Sequence, residues 1–159
     1  MLILIFEAFI ACVLYSGLMF ISSRNPENTL FTYPPAIVKR CKSLGIYVCD
    51  RTGWDFVLKK TLVLTVAGFF LGLLLIYANQ AQSFLGGAVR AYLILLALDW
   101  FDAIVIDCMW FCRSKRFVIS GTEDMVSEYH NYWYHIKCAI RGMFTIIPSA
   151  VTAGIVVSL

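Results

Sequence analysis

Four long stretches of the chain are almost entirely apolar, and they alternate with more polar stretches. A helix needs about 20 mostly apolar residues to cross a membrane, because the hydrocarbon core is roughly 30 Å thick and each helical residue adds about 1.5 Å. The pattern predicts spans at about 2–22, 61–78, 88–112 and 139–159. We therefore expect an all-α, polytopic membrane protein in which residues 1–159 form a single integral membrane domain with four transmembrane helices.

Small residues and one proline distinguish two of these spans. The second span has no charged residue and contains Gly68 and Gly72, and small residues four apart allow helices to approach closely in lipid. Packing within one chain and association with a second copy both explain such a pair, so one prediction is a homo-oligomer through Gly68 and Gly72. In the fourth span, Pro148 is expected to kink the helix because it lacks a backbone N–H and so removes a hydrogen bond.

Composition agrees with a membrane protein and excludes several other classes. The chain is 60% hydrophobic and 14% charged, against about 45–50% apolar and 25% charged in a soluble domain. Such a chain is too apolar to be intrinsically disordered. Its net charge of +3 is small and dispersed, which excludes a nucleic-acid-binding surface. We therefore expect the protein to lie in the lipid bilayer.

The distribution of Lys and Arg predicts how the chain is oriented. Cytoplasmic loops hold the excess of these residues in membrane proteins. Loops 23–60 and 113–138 are rich in them, whereas the connection between the second and third spans has Arg90 alone. We expect both loops to be cytoplasmic, with the N- and C-termini outside, in the plasma (inner) membrane. The loop cations are Arg24, Lys39, Arg40, Lys42, Arg51, Lys59 and Lys60, then Arg113, Lys115, Arg116 and Lys137.

Each cytoplasmic loop contains a segment that predicts a short interfacial helix. In the first loop, residues 36–44 form a basic helix whose Lys39, Arg40 and Lys42 are expected to contact anionic lipid headgroups. The second loop has a turn at Gly121, after which Thr122 is the predicted N-cap of a helix leading to the fourth span. Its aromatic residues are typical of a membrane interface; they are Tyr129, Tyr132, Trp133 and Tyr134.

Three acidic residues in the third span are the strongest functional signal. A charged group at bilayer depth costs about 2.5–3.5 kcal/mol on insertion scales and usually faces a cavity or a partner. At about 100° per residue, Asp99 and Asp102 lie about 60° apart, with Asp107 about 80° to the other side of Asp99. Tyr92 projects close to Asp99. This face predicts a site for a cation, a proton or a polar substrate, although hydrogen bonds to neighbouring helices are a purely structural alternative.

The second loop adds acids and the two histidines of the chain. Glu123 and Asp124 are expected to extend the acidic site toward the cytoplasm. His130 and His135 are candidate ligands for a divalent metal, since neutral imidazole is a common metal ligand. Because residues five apart are about 140° apart on an α-helix, the two imidazoles do not share one face.

These observations leave three functions open. The first is a small integral membrane protein that binds a cation, proton or polar substrate, as an oligomer that transports it. The second is an interfacial membrane enzyme acting on a lipid or amphipathic substrate, with or without a metal, in which Asp107 or Glu123 is the base. The third is an accessory or scaffold subunit. Hydrolytic and nucleotide-binding motifs such as a Walker loop or a GxSxG elbow do not occur.

Overall fold

The computed structural model describes residues 2–48 and 53–159, with residue 55 described by its backbone alone. The predicted loop cation Arg51 lies outside the described residues. Within them the chain is helical and contains no strand. The α-helices are α1 (Leu2–Ser22), α2 (Pro35–Ser43), α3 (Trp54–Asn79), α4 (Phe84–Phe101), α5 (Val126–Tyr129), α6 (Tyr132–Thr145) and α7 (Ile147–Ser158). Short 3₁₀ segments cover Pro26–Thr32, Phe111–Arg113 and Lys115–Phe117, and a π-helix covers Asp102–Trp110.

Three helical segments are long and apolar enough to cross a membrane. They are Leu2–Ser22, Phe56–Asn79 and Val126–Ser158. The all-helical class predicted from the sequence is therefore confirmed within the described residues, and these helices are compatible with a membrane protein. The predicted third span, at about 88–112, is not among the three. The helical run of the last span is divided near Pro148, because α6 ends at Thr145 and Pro148 lies in the first turn of α7.

The chain divides into two compact units. The first comprises residues 2–13, 53–100 and 140–159, and its helices α3, α4 and α7 pack through small residues. A Cβ atom on Gly68 would overlap the backbone of Ser149, and one on Gly72 would overlap Val156, so both glycines face α7 of the same chain. The buried residues of this unit include Leu75, Ala81, Ala91, Ile94, Ala150, Ala153 and Val157.

The second unit comprises residues 14–48 and 101–139, and its core is largely aromatic. Tyr33 is almost fully buried, and its ring meets Phe111 edge to face with centroids 4.8 Å apart. α2 supplies Ile37 and Cys41 to the same core. The other buried members are Leu30, Cys112, Phe117, Ile119 and Tyr129.

The second loop begins its helix later than the sequence predicts. Gly121 does form the expected turn, with φ of +85°. Thr122, however, is not an N-cap, because α5 begins at Val126 after Met125. The Thr122 hydroxyl instead donates to the Ile119 carbonyl at 2.7 Å and lies 2.7 Å from the Tyr129 hydroxyl. A side chain that satisfies its own turn in this way is not available to cap a helix.

Candidate functional site

The second unit contains a carboxylate–imidazole pair. Nδ1 of His135, on α6, lies 2.9 Å from Oδ2 of Asp107, on the π-helix. The His135 side chain is only 3% exposed and that of Asp107 is 24% exposed. The Phe111 ring packs against the imidazole with centroids 5.2 Å apart, and the Tyr134 ring meets it edge to face at the same distance. Aromatic rings thus enclose the imidazole while the carboxylate fixes its orientation.

The other imidazole nitrogen, Nε2, is buried and makes no hydrogen bond within the described residues. A carboxylate beside Nδ1 favours the tautomer in which Nδ1–H donates to the carboxylate, which leaves the lone pair on Nε2. A buried polar atom without a partner is unfavourable by about 1–3 kcal/mol. Such an atom is informative because it is able to accept a proton or bind a ligand.

A π-helix carries two of the predicted acids. In this conformation each N–H bonds to the carbonyl five residues earlier, so residues five apart lie one turn above each other. Asp102 and Asp107 have this spacing and lie on one face of the segment. The sequence projection, which assumed an α-helix, separated them by about 140°. The π-helix therefore brings these two carboxylates into closer alignment than an α-helix does.

The third acid, Asp99, belongs to the first unit. Its carboxylate lies against Gly142 of α6, so closely that a Cβ atom on Gly142 would overlap it. The buried Oδ2 of Asp99 makes no hydrogen bond within the part of the chain that the structure describes. Tyr92 also lies in this unit, half-buried and packed against the core of small and aliphatic residues.

Glu123 and Asp124 have local partners. Both carboxylate oxygens of Glu123 accept from the Gly121 N–H, at 3.1 and 2.9 Å. Asp124 lies 3.6 Å from the guanidinium of Arg40 in an exposed ion pair. Exposed ion pairs contribute about 0–1 kcal/mol. These two acids stabilise the loop and its contact with α2, and neither contacts His135 in the contacts described.

His130 is exposed and lies apart from the carboxylate–imidazole pair. It lines a pocket of about 230 Å³ together with Arg113, Lys115 and Glu123. Among the described residues, no three His, Cys, Asp or Glu side chains come together as metal ligands. A metal site built on His130 and His135 thus gains no third ligand from the described part of the chain.

The basic residues of α2 divide into two groups. Nε of Arg40 donates to the Gly121 carbonyl at 3.4 Å, in addition to the ion pair with Asp124. Lys39 and Lys42 instead line an open groove of about 460 Å³ whose other walls include Tyr33 and Tyr134. The short basic helix predicted from the sequence is confirmed as Pro35–Ser43, and the contact of its cations with lipid headgroups stays a prediction.

A polar network in the first unit was not predicted. The Asn79 amide donates to both carboxylate oxygens of Glu7, at 2.6 and 2.7 Å. Arg90 donates to the Asn79 carbonyl at 3.1 Å. Asn79 is the last residue of α3, so a cation near this carbonyl complements the negative end of the helix dipole. The signal in the sequence was the single charge, Glu7, in an otherwise apolar first span.

A second unpredicted feature is the buried hydroxyl of Tyr33. It donates to the Phe117 carbonyl at 3.1 Å, and the Tyr33 carbonyl accepts from the Tyr134 hydroxyl at 3.1 Å. Burial raises the pKa of the Tyr33 phenol well above its usual value, so the group stays protonated and remains a donor. These bonds connect the 3₁₀ segment before α2 to the loop that follows the π-helix and to α6.

Comparisons with protein-family models, with curated proteins and with solved structures found no match to this chain.

Proposed function

We propose that this chain is a small polytopic membrane protein in which Asp107 and His135 bind and release a proton as protons cross the membrane. The observation that carries the proposal is the buried imidazole whose Nδ1 contacts the carboxylate while Nε2 has no hydrogen bond in the described residues. In that arrangement Nδ1–H donates to Asp107 and the Nε2 lone pair accepts the incoming proton. The imidazolium so formed lies beside a carboxylate, which lowers the cost of placing a positive charge in an apolar region.

A proton fits this site better than a metal ion. Catalytic and structural zinc sites use three or four protein ligands, and no group of three comes together within the described residues. Asp107 is also partly exposed, while His135 is almost fully buried. We extend the site to Asp102, which shares the π-helical face with Asp107, as a second carboxylate able to hold a proton.

Asp99 is a further half-buried acid whose buried oxygen, Oδ2, has no described hydrogen bond. We propose that Asp99, with Tyr92 in the same unit, forms a separate site for a proton or a polar substrate. In this proposal Glu123 and Asp124 do not bind the proton themselves. They stabilise the loop on the cytoplasmic side of the site. The acidic residues therefore have different proposed roles, in proton binding or in stabilising the loop.

The topology that accompanies the proposal has four spans. They are α1, α3, α4 continued by the π-helix, and α6 with α7. Loops 23–60 and 113–138 face the cytoplasm, with α2 and α5 as short interfacial helices and both termini outside, in the plasma membrane. Lys39, Arg40 and Lys42 of α2 contact anionic headgroups in this arrangement.

Four helices make a narrow bundle, so the transport proposal includes a homo-oligomer. Gly68 and Gly72 are the surface predicted for it, and the same glycines are covered by α7 within one chain. An oligomer through them therefore requires α7 to move aside or to be shared between copies. The oligomeric state of glycine variants distinguishes these arrangements, as argued in the Discussion.

An interfacial membrane enzyme is less well supported by the same pair. A general base must reach the proton that it removes from substrate, within about 2.6–3.2 Å or through one water. Nε2 is buried, and the rings of Phe111 and Tyr134 enclose the imidazole. A proton therefore reaches Nε2 more easily than a lipid or another amphipathic molecule does. The proton-binding role therefore follows from the burial as well as from the pairing.

Reconstitution in liposomes tests the proposal. Vesicles containing wild-type protein and a trapped pH-sensitive dye receive an inside-negative potassium diffusion potential, and the rate of internal acidification is measured. We expect wild type to acidify faster than protein-free vesicles, while His135→Gln and Asp107→Asn fall to the protein-free rate. Asp124→Asn is the matched control, because it neutralises an exposed carboxylate outside the proposed site and should retain the wild-type rate.

Two results would refute the proposed function. One is a wild-type rate equal to that of protein-free vesicles. The other is a His135→Gln protein that acidifies at the wild-type rate while eluting as a folded, monodisperse species. Thermal unfolding of each variant in the same detergent shows whether loss of flux reflects loss of the fold.

A further inference from the structure

The second unit contains a pocket of mixed character that the proton site does not use. It encloses about 230 Å³ and is formed by the 3₁₀ segments after the π-helix together with α5. Its walls include Phe111, Val118 and Val126, and two cations, Arg113 and Lys115, line it as well. An apolar wall beside cations is suited to a molecule with an anionic end and a hydrocarbon end.

The two cations are available to a ligand. Neither Arg113 nor Lys115 makes an ion pair or a side-chain hydrogen bond within the part of the chain that the structure describes, and both are exposed. The neighbouring Arg116 is committed to the fold, because it lies over the Phe20 ring and donates to the Ser23 carbonyl at 3.2 Å. Three successive cations of this loop thus have different roles, and two of them face the pocket.

The carboxylate of Glu123 also lines the pocket and offsets one of the two positive charges, so the three side chains leave a net charge of +1. Glu123 is directed to the Gly121 N–H through both of its oxygens. Ser114 accepts from the Arg116 N–H through its hydroxyl oxygen, which leaves its own proton free to donate. The Tyr129 hydroxyl accepts from the Ile119 N–H. The pocket therefore offers a guanidinium, an ammonium and a hydroxyl donor, which is a donor set suited to phosphate oxygens.

We propose that this pocket binds the phosphate headgroup of an anionic phospholipid. Its volume lies below the roughly 300–1,000 Å³ of pockets that enclose a drug-sized ligand, so it accommodates a headgroup and not a whole lipid. The phosphate lies between Arg113 and Lys115, and the first part of the acyl region lies along Val118 and Val126. This site shares the Phe111 ring with the proton site but contains neither Asp107 nor His135, and it differs from the open groove beside Lys39 and Lys42.

Native mass spectrometry in a mild detergent tests the site. The purified protein is titrated with phosphatidylglycerol and, separately, with phosphatidylcholine, and bound lipid is counted. We expect one tightly bound phosphatidylglycerol and at least tenfold weaker binding of phosphatidylcholine. The double variant Arg113→Gln, Lys115→Gln should weaken phosphatidylglycerol binding at least tenfold. The matched control is Lys59→Gln, Lys60→Gln, which removes two exposed cations elsewhere and should bind as wild type.

A third variant and a soluble competitor separate a lipid from a simple anion. Val126→Asn makes the apolar wall polar and should weaken phosphatidylglycerol several-fold without changing the charge. Millimolar inorganic phosphate should displace little of the lipid. Equal loss of lipid in the Lys59 and Lys60 control, or full displacement by inorganic phosphate with no effect of Val126→Asn, would overturn the proposal. Thermal unfolding midpoints within about 2 °C of wild type verify that each variant is folded.

Discussion

Nδ1 of His135 lies 2.9 Å from Oδ2 of Asp107, and the imidazole is almost completely buried at that point. This bond joins α6 to the π-helix within the second unit. Because the donor and the acceptor lie far apart in the sequence, the bond contributes to the fold as well as to the proposed chemistry. Stability and proton binding are therefore both affected by substitution at this pair.

Replacing Asp107 separates the structural part of this contact from the ionic part. Asp107→Ala leaves the Nδ1–H of His135 buried without an acceptor, so the free energy of unfolding should fall by about 1–3 kcal/mol. Asp107→Asn keeps an oxygen acceptor and should lose less than half of that amount. The two are compared by chemical denaturation in detergent micelles. Equal losses for the two variants would show that Nδ1 does not need an acceptor at this position.

The small residues of α3 give a prediction about packing and association. Gly68→Ala places a methyl group against the Ser149 backbone and should lower stability by about 1–3 kcal/mol. Gly17→Ala is the matched control, since a Cβ atom there meets nothing within 4 Å and alanine favours a helix by up to about 1 kcal/mol. Thermal unfolding and sedimentation are measured together. If Gly68→Ala changes the oligomeric state and leaves the unfolding midpoint unchanged, the pair serves association between chains and not the contact with α7.

Asp99 and Gly142 should behave as a coupled pair. A Cβ atom on Gly142 overlaps the Asp99 carboxylate, so Gly142→Ala alone should be destabilising by about 1–3 kcal/mol despite the better helix propensity of alanine. Asp99→Ala removes the obstructing carboxylate. The double variant should therefore be more stable than the sum of the single effects by at least 0.5 kcal/mol, as expected for residues in contact. Additive effects in a double-mutant cycle would contradict this contact.

Removing the single hydroxyl oxygen of Tyr33 should lower the stability of the fold. Tyr33→Phe leaves the Phe117 carbonyl without its donor in a buried position, which should lower the free energy of unfolding by about 1–2 kcal/mol. Tyr77→Phe is the control, because Tyr77 is 83% exposed and no hydrogen bond of its hydroxyl is described. Since the pKa of Tyr33 is raised, the difference between the two variants should persist unchanged up to pH 10. A difference that disappears by pH 9 would show that the phenol ionises and is not buried as described.

Much of the fold was predictable because lipid imposes a simple rule on the sequence. Apolar stretches of about 20 residues indicate helices whatever their packing, and Leu2–Ser22 forms over the range that the pattern predicts. Pro148 marked the break in the last helical segment for an equally local reason. The geometry of the stretch from Ala88 to Cys112 was harder to predict. Its helix changes from α to π at Asp102, whereas the helical projection of the sequence used the α-helical turn angle throughout.

The candidate site was predictable in part. Asp107 and His135 were both singled out as chemically unusual residues, but nothing local in the sequence relates one to the other. Their contact depends on how α6 packs on the π-helix, and packing of this kind is set by many side chains together. The partners of Glu123 and Asp124 were not predictable for a related reason. Glu123 accepts from the Gly121 N–H, and Asp124 pairs with Arg40 of α2, and both contacts depend on how the loop folds.

The most direct test of the central claim is the protonation state of the two nitrogens of His135. Protein labelled with ¹⁵N at histidine and placed in lipid nanodiscs is examined by NMR from alkaline to acidic pH, with the exposed His130 as an internal reference. We predict that His135 is protonated at Nδ1 and unprotonated at Nε2 at alkaline pH, and that acidification adds one proton at Nε2. A His135 with its proton on Nε2 at alkaline pH, or one whose Nε2 gains no proton at any pH at which the protein remains folded, would contradict it.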